Sequence, residues 1–304
     1  MADTPAVTVV IPTLNRAELV PQAVASVLAQ DVGDFELLVV DDGSTEDLAA
    51  ALAEPLRDPR VRLLRHETNR GPAAARNTGI EAARGEVVAF LDADDTWAPE
   101  KLGRQLDALK AAPAGTDVAC TGYLLRRPFS GEEEVRIPAD AVDNWFSRLL
   151  WVCDLSPGST MMVRREVFGR IGRFDEQLRR LEDRDWLLTY ARQGRILVVP
   201  QVLATINLSH GADLDEVRHA HRVMFERYAD DARRLGPAAW RTFRAAMAVE
   251  MVSTAYWSGH YAVAIRHLAS ALLIMPPRHF SFYRLVLRRA AQAWRRRLAG
   301  SLVW

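Results

Sequence analysis

The fold is decided by residues 7–44, whose sequence is VTVVIPTLNRAELVPQAVASVLAQDVGDFELLVVDDGS. Its two apolar runs, Val7–Pro12 and Phe35–Asp41, have the length and composition of buried strands. Between them, apolar residues recur at helical spacing over Arg16–Gln30, which predicts an amphipathic helix. A strand, a helix and a second strand in this order are typical of a βαβ unit with parallel strands.

The same alternation continues to about residue 100. Two further strands are predicted at Val61–Arg65 and Val87–Leu91. Between them, an alanine-rich helix opens at Gly71-Pro72 and stops at Gly85, as the capping preferences of proline and glycine predict. We therefore predict an α/β fold, a Rossmann-like domain with a mainly parallel central sheet.

The pattern changes in the second half of the chain. Residues 159–212 return to mixed α/β, with strands at Thr160–Arg164 and at Ile196–Thr205, the latter broken at Pro200, and a helix over 182–193. From Asp213 onward the pattern is helical. These features predict two domains, a catalytic domain over residues 1–212 and a helical C-terminal region over residues 213–304.

Charge is distributed unevenly along the 304 residues, although the formal net charge is zero. Residues 251–304 contain eight arginines and no Asp or Glu, so residues 1–250 hold 31 basic and 39 acidic side chains. The basic end is amphipathic and contains tryptophan, which favours binding to an anionic membrane surface. Docking onto the acidic body, or onto a second subunit in a homo-oligomer, is an equal alternative. No nucleic-acid-binding motif accompanies the arginines.

The cellular compartment is predicted from cysteines and apolar segments. Cys120 and Cys153 are too few for a disulfide framework or a zinc cluster, which favours a reducing compartment. The N-terminus lacks the pattern of a signal peptide, and no apolar run approaches the length of a spanning helix. A cytoplasmic location is expected, either free or peripheral at the inner face of the plasma membrane.

Polar clusters follow three of the predicted strands, at residues 12–15, 41–44 and 92–95. Ligands of open α/β sheets bind outside the carboxyl ends of the strands, where these clusters fall. An Asp-Gly pair alone is more often a simple turn, and an Asp before a helix is often a cap. Asp92, Asp94 and Asp95, however, would repel one another unless a cation neutralised them, which favours a divalent metal.

The order and spacing of these clusters, together with the segment 69–79, resemble family 2 glycosyltransferases, a large inverting family with the GT-A fold. The resemblance is close over residues 6–110 and looser over 156–212. It implies that the donor nucleotide is held by Pro12, Thr13, Asn15, Asp42, Arg76 and Asp92. It also implies that Asp92 and Asp94 bind Mn²⁺ or Mg²⁺, and that Asp95 can contribute to metal binding.

A fourth cluster, residues 181–186, resembles the family's Glu-Asp motif at the start of a helix. Asp183 is the candidate general base and Asp185 the alternative, while acids at a helix N-terminus also have a purely structural explanation in the helix dipole. His210 stands where many relatives place a histidine near the metal, although a lone histidine is as often a loop residue. The Gln-x-x-Arg-Trp motif of processive synthases is not evident, which favours transfer of a single sugar.

The predicted function is that of an inverting, metal-dependent glycosyltransferase. It would move one sugar from a nucleotide-diphosphate sugar to a hydroxyl of a saccharide or lipid-linked acceptor, in cell-surface polysaccharide or glycolipid synthesis. One alternative is a GT-A-fold binding protein without activity, against which the intact Asp92, Asp94 and Asp183 argue. The other is a sugar nucleotidyltransferase, but the turn after the first strand lacks the glycines that such enzymes usually carry there.

Overall fold

The computed structural model describes residues 4–127, 131–140, 142–208 and 213–274. The chain forms two compact units, Met1–His210 and Gly211–Trp304. The first unit contains the β-sheet and its helices, and the second contains helices in the residues that the structure describes.

Strands and helices alternate through the first unit. The strands are β1 (Val7–Thr13), β2 (Phe35–Asp41), β3 (Val61–Arg65), β4 (Val87–Phe90), β5 (Thr96–Trp97), β6 (Thr116–Arg127), β7 (Glu132–Arg136), β8 (Met162–Arg164) and β9 (Arg195–Asn207). The helices are α1 (Val20–Leu28), α2 (Leu48–Ala51), α3 (Pro72–Ala82), α4 (Lys101–Ala111), α5 (Trp145–Trp151), α6 (Pro157–Thr160), α7 (Glu166–Ile171) and α8 (Glu182–Ala191). A single 3₁₀ turn, Pro55–Arg57, precedes β3.

The strands form one twisted sheet in the order β3-β2-β1-β4-β8-β6-β9-β5. The first four strands are parallel, and β6 and β9 are parallel to each other. Strand β8 runs antiparallel between β4 and β6, and β5 and β7 add short antiparallel pairs. The predicted α/β class is confirmed, and the four predicted N-terminal strands lie within about one residue of their expected bounds.

Strands β1, β2 and β4 are buried on both faces, as their mainly apolar sequences predict, whereas β3 at the edge of the sheet is partly exposed. Helix α3 packs closely on β1 because four of the residues that it buries are small: Ala73, Ala74, Ala75 and Gly79. A Cβ atom on Gly79 would lie 2.3 Å from Cγ1 of Val10, so no larger residue fits there without displacing the strand. This close contact fixes the start of α3 near the carboxyl ends of β1 and β2.

Two predicted elements differ in the structure. The strand expected to break at Pro200 is the continuous β9, because a bulge places Pro200 and Gln201 between two ladder pairs, Thr121 with Val199 and Gly122 with Val202. A proline at a bulge removes no ladder hydrogen bond. The sequence Thr96-Trp97-Ala98-Pro99-Glu100 predicts an N-cap region that leads into a helix, but Thr96-Trp97 forms β5 and pairs with β9, and α4 begins only at Lys101.

The second unit contains α9 (Leu214–Arg234), α10 (Pro237–Trp257) and α11 (Tyr261–Ile274). Asp213 caps α9 by accepting hydrogen bonds from two backbone N–H groups of its first turn. A small apolar cluster, which includes Leu214, Met251 and Ala264, joins the three helices. In the part of the chain that the structure describes, none of the helices has the length and apolarity needed to cross a membrane.

Candidate active site

The polar turns that follow β1 and β2 are joined by hydrogen bonds into one platform. Asn15 adopts a left-handed conformation with φ of 50°, and its Oδ1 accepts hydrogen bonds from the backbone N and the hydroxyl of Thr45. The Asn15 backbone N donates to Ser44 Oγ at 2.8 Å, and Ser44 N donates to Asp41 Oδ1 at 2.8 Å. The first two predicted motifs therefore form a single surface at the carboxyl edge of the sheet.

The end of β1 presents Pro12 and Thr13 at this edge. Pro12 lies opposite Val40 in the ladder, and Thr13 lies opposite Asp41. The Thr13 hydroxyl is buried and finds no hydrogen-bond partner among the residues that the structure describes. Because an unpaired buried hydroxyl is costly, Thr13 is suited to donate a hydrogen bond to a polar ligand atom at this edge.

Asp42 organises the loop that precedes α3. Its Oδ1 accepts from Arg70 N at 2.9 Å and lies 2.7 Å from His66 Nδ1, while Oδ2 accepts from Gly71 N at 2.7 Å. His66 Nε2 in turn lies 2.8 Å from Thr78 Oγ1. Besides any contact with a nucleotide, Asp42 thus holds the entry to α3. No sequence motif marks His66, which sequence reasoning did not single out.

The three carboxylates after β4 have different surroundings. Asp95 is buried: its Oδ2 accepts from Ser159 Oγ at 2.6 Å and its Oδ1 from Asn207 N at 2.7 Å. Burial, and then the nearby Asp92, raise the pKa of Asp95 well above its usual range. Asp95 therefore anchors the loop to α6 and β9, which is a structural role that its motif did not indicate.

Arg76 joins this acidic loop to the start of α8. Its Nη2 donates to Asp92 Oδ1 at 2.7 Å and its Nη1 donates to Glu182 Oε1 at 2.6 Å. Burial would lower the pKa of Arg76, but Asp92, Glu182 and Asp183 outweigh that effect and raise it. Arg76 is only 5% exposed, so in this arrangement it is a buried bridge between two acidic segments rather than an open anion-binding side chain.

Asp183 lies in the first turn of α8, after Leu181, which adopts a left-handed conformation with φ of 63°. Its Oδ1 accepts a hydrogen bond from Arg184 N at 2.7 Å. Burial raises the pKa of Asp183, Arg76 partly offsets that rise, and the charge of Asp92 adds to it. The donor-side acidic loop and Asp183 therefore belong to one electrostatic site. Asp185 is buried, and His210 lies outside the described residues.

The predicted metal ligands Asp92 and Asp94 carry carboxylate oxygens, the ligand type that Mg²⁺ and Mn²⁺ take. Within the described ranges, no cluster of three or more His, Cys, Asp or Glu side chains could hold a metal by itself. The Asp92 side chain is 39% exposed, and its Oδ2 packs so closely on Gly158 that a Cβ there would lie 2.4 Å away. Mg²⁺ is commonly held by one or two carboxylates, with water and substrate phosphates completing its shell.

The polar platform, the acidic loop and the helix-start carboxylate lie together on an open α/β sheet, an arrangement expected of an enzyme that binds a nucleotide-activated substrate, and the family match identifies that class as glycosyltransferases. The family described as Glycosyl transferase family 2 matches residues 8–172, more than half of the chain. The chain belongs to this family, which confirms the resemblance drawn from its motifs. Membership also disfavours the sugar nucleotidyltransferase alternative.

Relatives and solved structures agree with this assignment. The chain is 34% identical over 261 residues to the succinoglycan biosynthesis protein ExoO of Rhizobium meliloti, covering 80% of this chain and 75% of that protein. Staphylococcus aureus TarS 1–349 in complex with UDP-GlcNAc superposes with a TM-score of 0.59 at 21% identity, covering 90% of this chain and 82% of that one. The Pyrobaculum calidifontis mannosyltransferase PcManGT, in complex with GDP-Man and Mn²⁺, superposes with a TM-score of 0.58 at 22% identity, covering 95% of this chain and 87% of that one. Because both identities are below 25%, these two structural similarities show only that the fold is shared.

Proposed function

We propose that the chain transfers a single sugar from a nucleotide-diphosphate sugar to an acceptor hydroxyl, with inversion and with the help of a divalent metal. The observation that carries this proposal is the Arg76 bridge, which joins Asp92 on the donor side to Glu182, the neighbour of Asp183. A transferase must hold a leaving diphosphate and a proton acceptor on either side of one sugar carbon. Arg76 therefore holds Asp92, on the side of the leaving diphosphate, at a fixed distance from the start of α8, which carries the proposed proton acceptor Asp183.

The donor is expected at the carboxyl edge of β1, β2 and β4. Thr13, Asn15 and Asp42 lie on the platform that receives the nucleotide, and Asp92 lies beside it at the end of β4. Mn²⁺ or Mg²⁺, when bound by Asp92 and Asp94, would neutralise charge on the leaving diphosphate. PcManGT, a fold neighbour, is described with GDP-Man and Mn²⁺, which supports this part of the proposal.

Asp183 is proposed as the general base. The acceptor oxygen attacks the anomeric carbon, its proton passes to the Asp183 carboxylate, and the bond from that carbon to the diphosphate breaks. Burial raises the pKa of Asp183, which makes its carboxylate a stronger base than an exposed aspartate. Arg184 N fixes one carboxylate oxygen by a hydrogen bond at 2.7 Å and so orients the other.

The acceptor is expected on the side of α5. The Arg184 guanidinium donates hydrogen bonds to the carbonyls of Leu149 and Leu150, so the end of α5 is tied to the residue that follows Asp183. Trp151 is the next residue and is 40% exposed, which suits contact with the apolar face of a sugar ring. The 34% identity to a succinoglycan biosynthesis protein supports a saccharide or lipid-linked acceptor in polysaccharide synthesis.

The test compares Asp183→Asn with Asp185→Asn. Donor turnover is screened with UDP-, GDP-, dTDP- and CDP-sugars and Mn²⁺, and binding of the matching nucleotide is measured by thermal shift. Asp183→Asn is expected to lower kcat by roughly a hundred-fold or more, because it removes the proton acceptor, while nucleotide affinity hardly changes.

Asp185→Asn is the matched control, since it changes the same chemical group two residues away on the same helix. About 200° of helical rotation separates the two positions, so they cannot both face one hydroxyl. If the Asp185 variant loses turnover while the Asp183 variant keeps it, with both folded and binding nucleotide, the assignment of the base is wrong.

A further inference from the structure

Helix α6 is a single turn that is hydrogen-bonded to the acidic loop, residues 92–95. All four residues of this turn are buried. Ser156, the residue before the turn, adopts a left-handed conformation with φ of 47°. A residue other than glycine keeps such a conformation only where the surrounding contacts hold it. The turn is therefore fixed in one position against the loop.

Ser159, in this turn, holds both ends of the acidic loop through one hydroxyl. Its Oγ accepts a hydrogen bond from Asp92 N at 3.0 Å and donates one to Asp95 Oδ2 at 2.6 Å. A serine hydroxyl has one proton and two lone pairs, so it makes both bonds at once. Ser159 is only 1% exposed, so solvent does not compete for them.

Two further side chains hold the backbone of α6. Trp97 Nε1 donates to the carbonyl of Ser159 at 2.7 Å, and Gln105 Nε2 donates to the carbonyl of Thr160 at 2.9 Å. Both side chains are buried. The hydroxyl of Ser159 is thus presented to the loop from a rigid support, and it sets the position of the Asp92 backbone.

The carboxylate of Asp92 is restrained on two sides as well. Its Oδ1 accepts a hydrogen bond from Arg76 Nη2 at 2.7 Å, and its Oδ2 packs against Gly158. The side chain is nevertheless 39% exposed, so it can still meet a ligand. Partners that orient a metal ligand in this way commonly change metal affinity or activity by about 10–100-fold.

We propose that Ser159 is a positioning residue for the donor site, where it holds Asp92 in the orientation that binds a divalent cation together with the donor diphosphate. This inference rests on the proposed function, because it takes Asp92 as a metal ligand. Ser159 acts through the backbone of Asp92 and the carboxylate of Asp95. Loss of its hydroxyl leaves both without this partner, and Asp94, which lies between them in the chain, would shift with them.

The experiment compares Ser159→Ala with Thr160→Val in the full chain. Thr160 is the matched control because it lies in the same turn, is completely buried, and donates its hydroxyl proton to the carbonyl of Leu155 instead of to the acidic loop. Each variant therefore loses one buried hydroxyl. Thermal unfolding is followed while MnCl₂ is titrated at a saturating concentration of UDP, GDP, dTDP or CDP, and the midpoint of the shift gives the apparent Mn²⁺ affinity.

Ser159→Ala is expected to raise the Mn²⁺ concentration at the midpoint by about ten-fold or more, whereas Thr160→Val should leave it within about two-fold of wild type. Both variants should lower the melting temperature without ligand, so a merely structural role does not account for a difference between their midpoints. Ser159→Cys keeps a weaker donor and acceptor in a side chain of similar shape, so it should give an intermediate midpoint and provides the measurement if Ser159→Ala does not fold.

Two outcomes separate this inference from the proposed function. If wild type shows Mn²⁺-dependent nucleotide binding and the Ser159 variants have the same midpoint as Thr160→Val, the positioning role is wrong and the proposed function stands. If wild type shows no Mn²⁺-dependent binding of any of the four nucleotides, the metal part of the proposed function is wrong, and the positioning role is overturned with it.

Discussion

Replacing Lys101 by Met should change how stability depends on pH. Lys101 is completely buried at the start of α4: its Nζ donates to Gln105 Oε1 at 2.6 Å and lies 3.8 Å from the centre of the Trp97 ring. Burial lowers the pKa of this ammonium from 10.5 to about 7, and Cys120 acts in the opposite direction. The folded protein therefore releases a proton that the unfolded chain retains.

The direction in which the free energy of unfolding changes with pH follows from this difference in proton binding. Between pH 7 and pH 10.5 the unfolded state holds more protons at Lys101 than the folded state, so the free energy of unfolding rises with pH. The full cost of charging Lys101, present below pH 7, is about 5 kcal/mol, and about a third of it is relieved between pH 7.0 and 8.5. In the Met variant this contribution is absent.

The assay is equilibrium urea unfolding at pH 7.0, 7.5, 8.0 and 8.5, followed by far-UV circular dichroism. Lys101→Met also leaves Gln105 Oε1 without its donor, which costs about 1–3 kcal/mol. This cost is the same at every pH, so it does not mask the expected change in the slope of stability with pH. Lys110→Met is the control because Lys110 is exposed on the same helix. A difference between wild type and Lys101→Met that stays constant across this range would refute the reasoning.

Two further predictions concern the acidic loop. Asp94→Ala should abolish metal-dependent binding of the donor nucleotide while leaving the fold intact, which thermal shift with and without Mn²⁺ would show; retention of metal-dependent binding would disprove the metal assignment. Gly158→Ala should reduce turnover at least about ten-fold, because its Cβ would lie 2.4 Å from Asp92 Oδ2 and displace that carboxylate. Gly169→Ala is its control, since a Cβ at Gly169 has no neighbour within 4 Å, and equal turnover of the two variants would contradict the argument.

Sequence patterns predicted the parallel half of the sheet because three of its four strands, β1, β2 and β4, are buried on both faces and its helices carry clear start and stop residues. They failed where a long-range contact decides the outcome. Thr96-Trp97 looks like the approach to a helix, but pairing with β9 about a hundred residues later makes it a strand. Pro200 looks like a strand breaker, but a bulge against β6 accommodates it.

Long-range contacts also limit what the sequence predicts about the candidate active site. The motifs placed the candidate residues at the carboxyl edge of the sheet, since that follows from strand order. The sequence could not show that Arg76 is a bridge, because its two partners lie 16 and 106 residues away. Nor could it show that Lys101 is buried, because a lysine near the start of a helix normally faces solvent.

The acidic loop shows how the fold makes three neighbouring carboxylates tolerable. Asp95 points inward, where Ser159 and Asn207 donate hydrogen bonds to it and burial raises its pKa. The negative charge of Asp92 is compensated by its ion pair with the guanidinium of Arg76. The carbonyl of Asp94 accepts a hydrogen bond from the Asn207 side chain at 2.5 Å, which fixes the backbone of the loop between the other two acids. The fold thus accommodates Asp92 and Asp95 without a cation, so a metal at this loop is expected to serve ligand binding rather than folding.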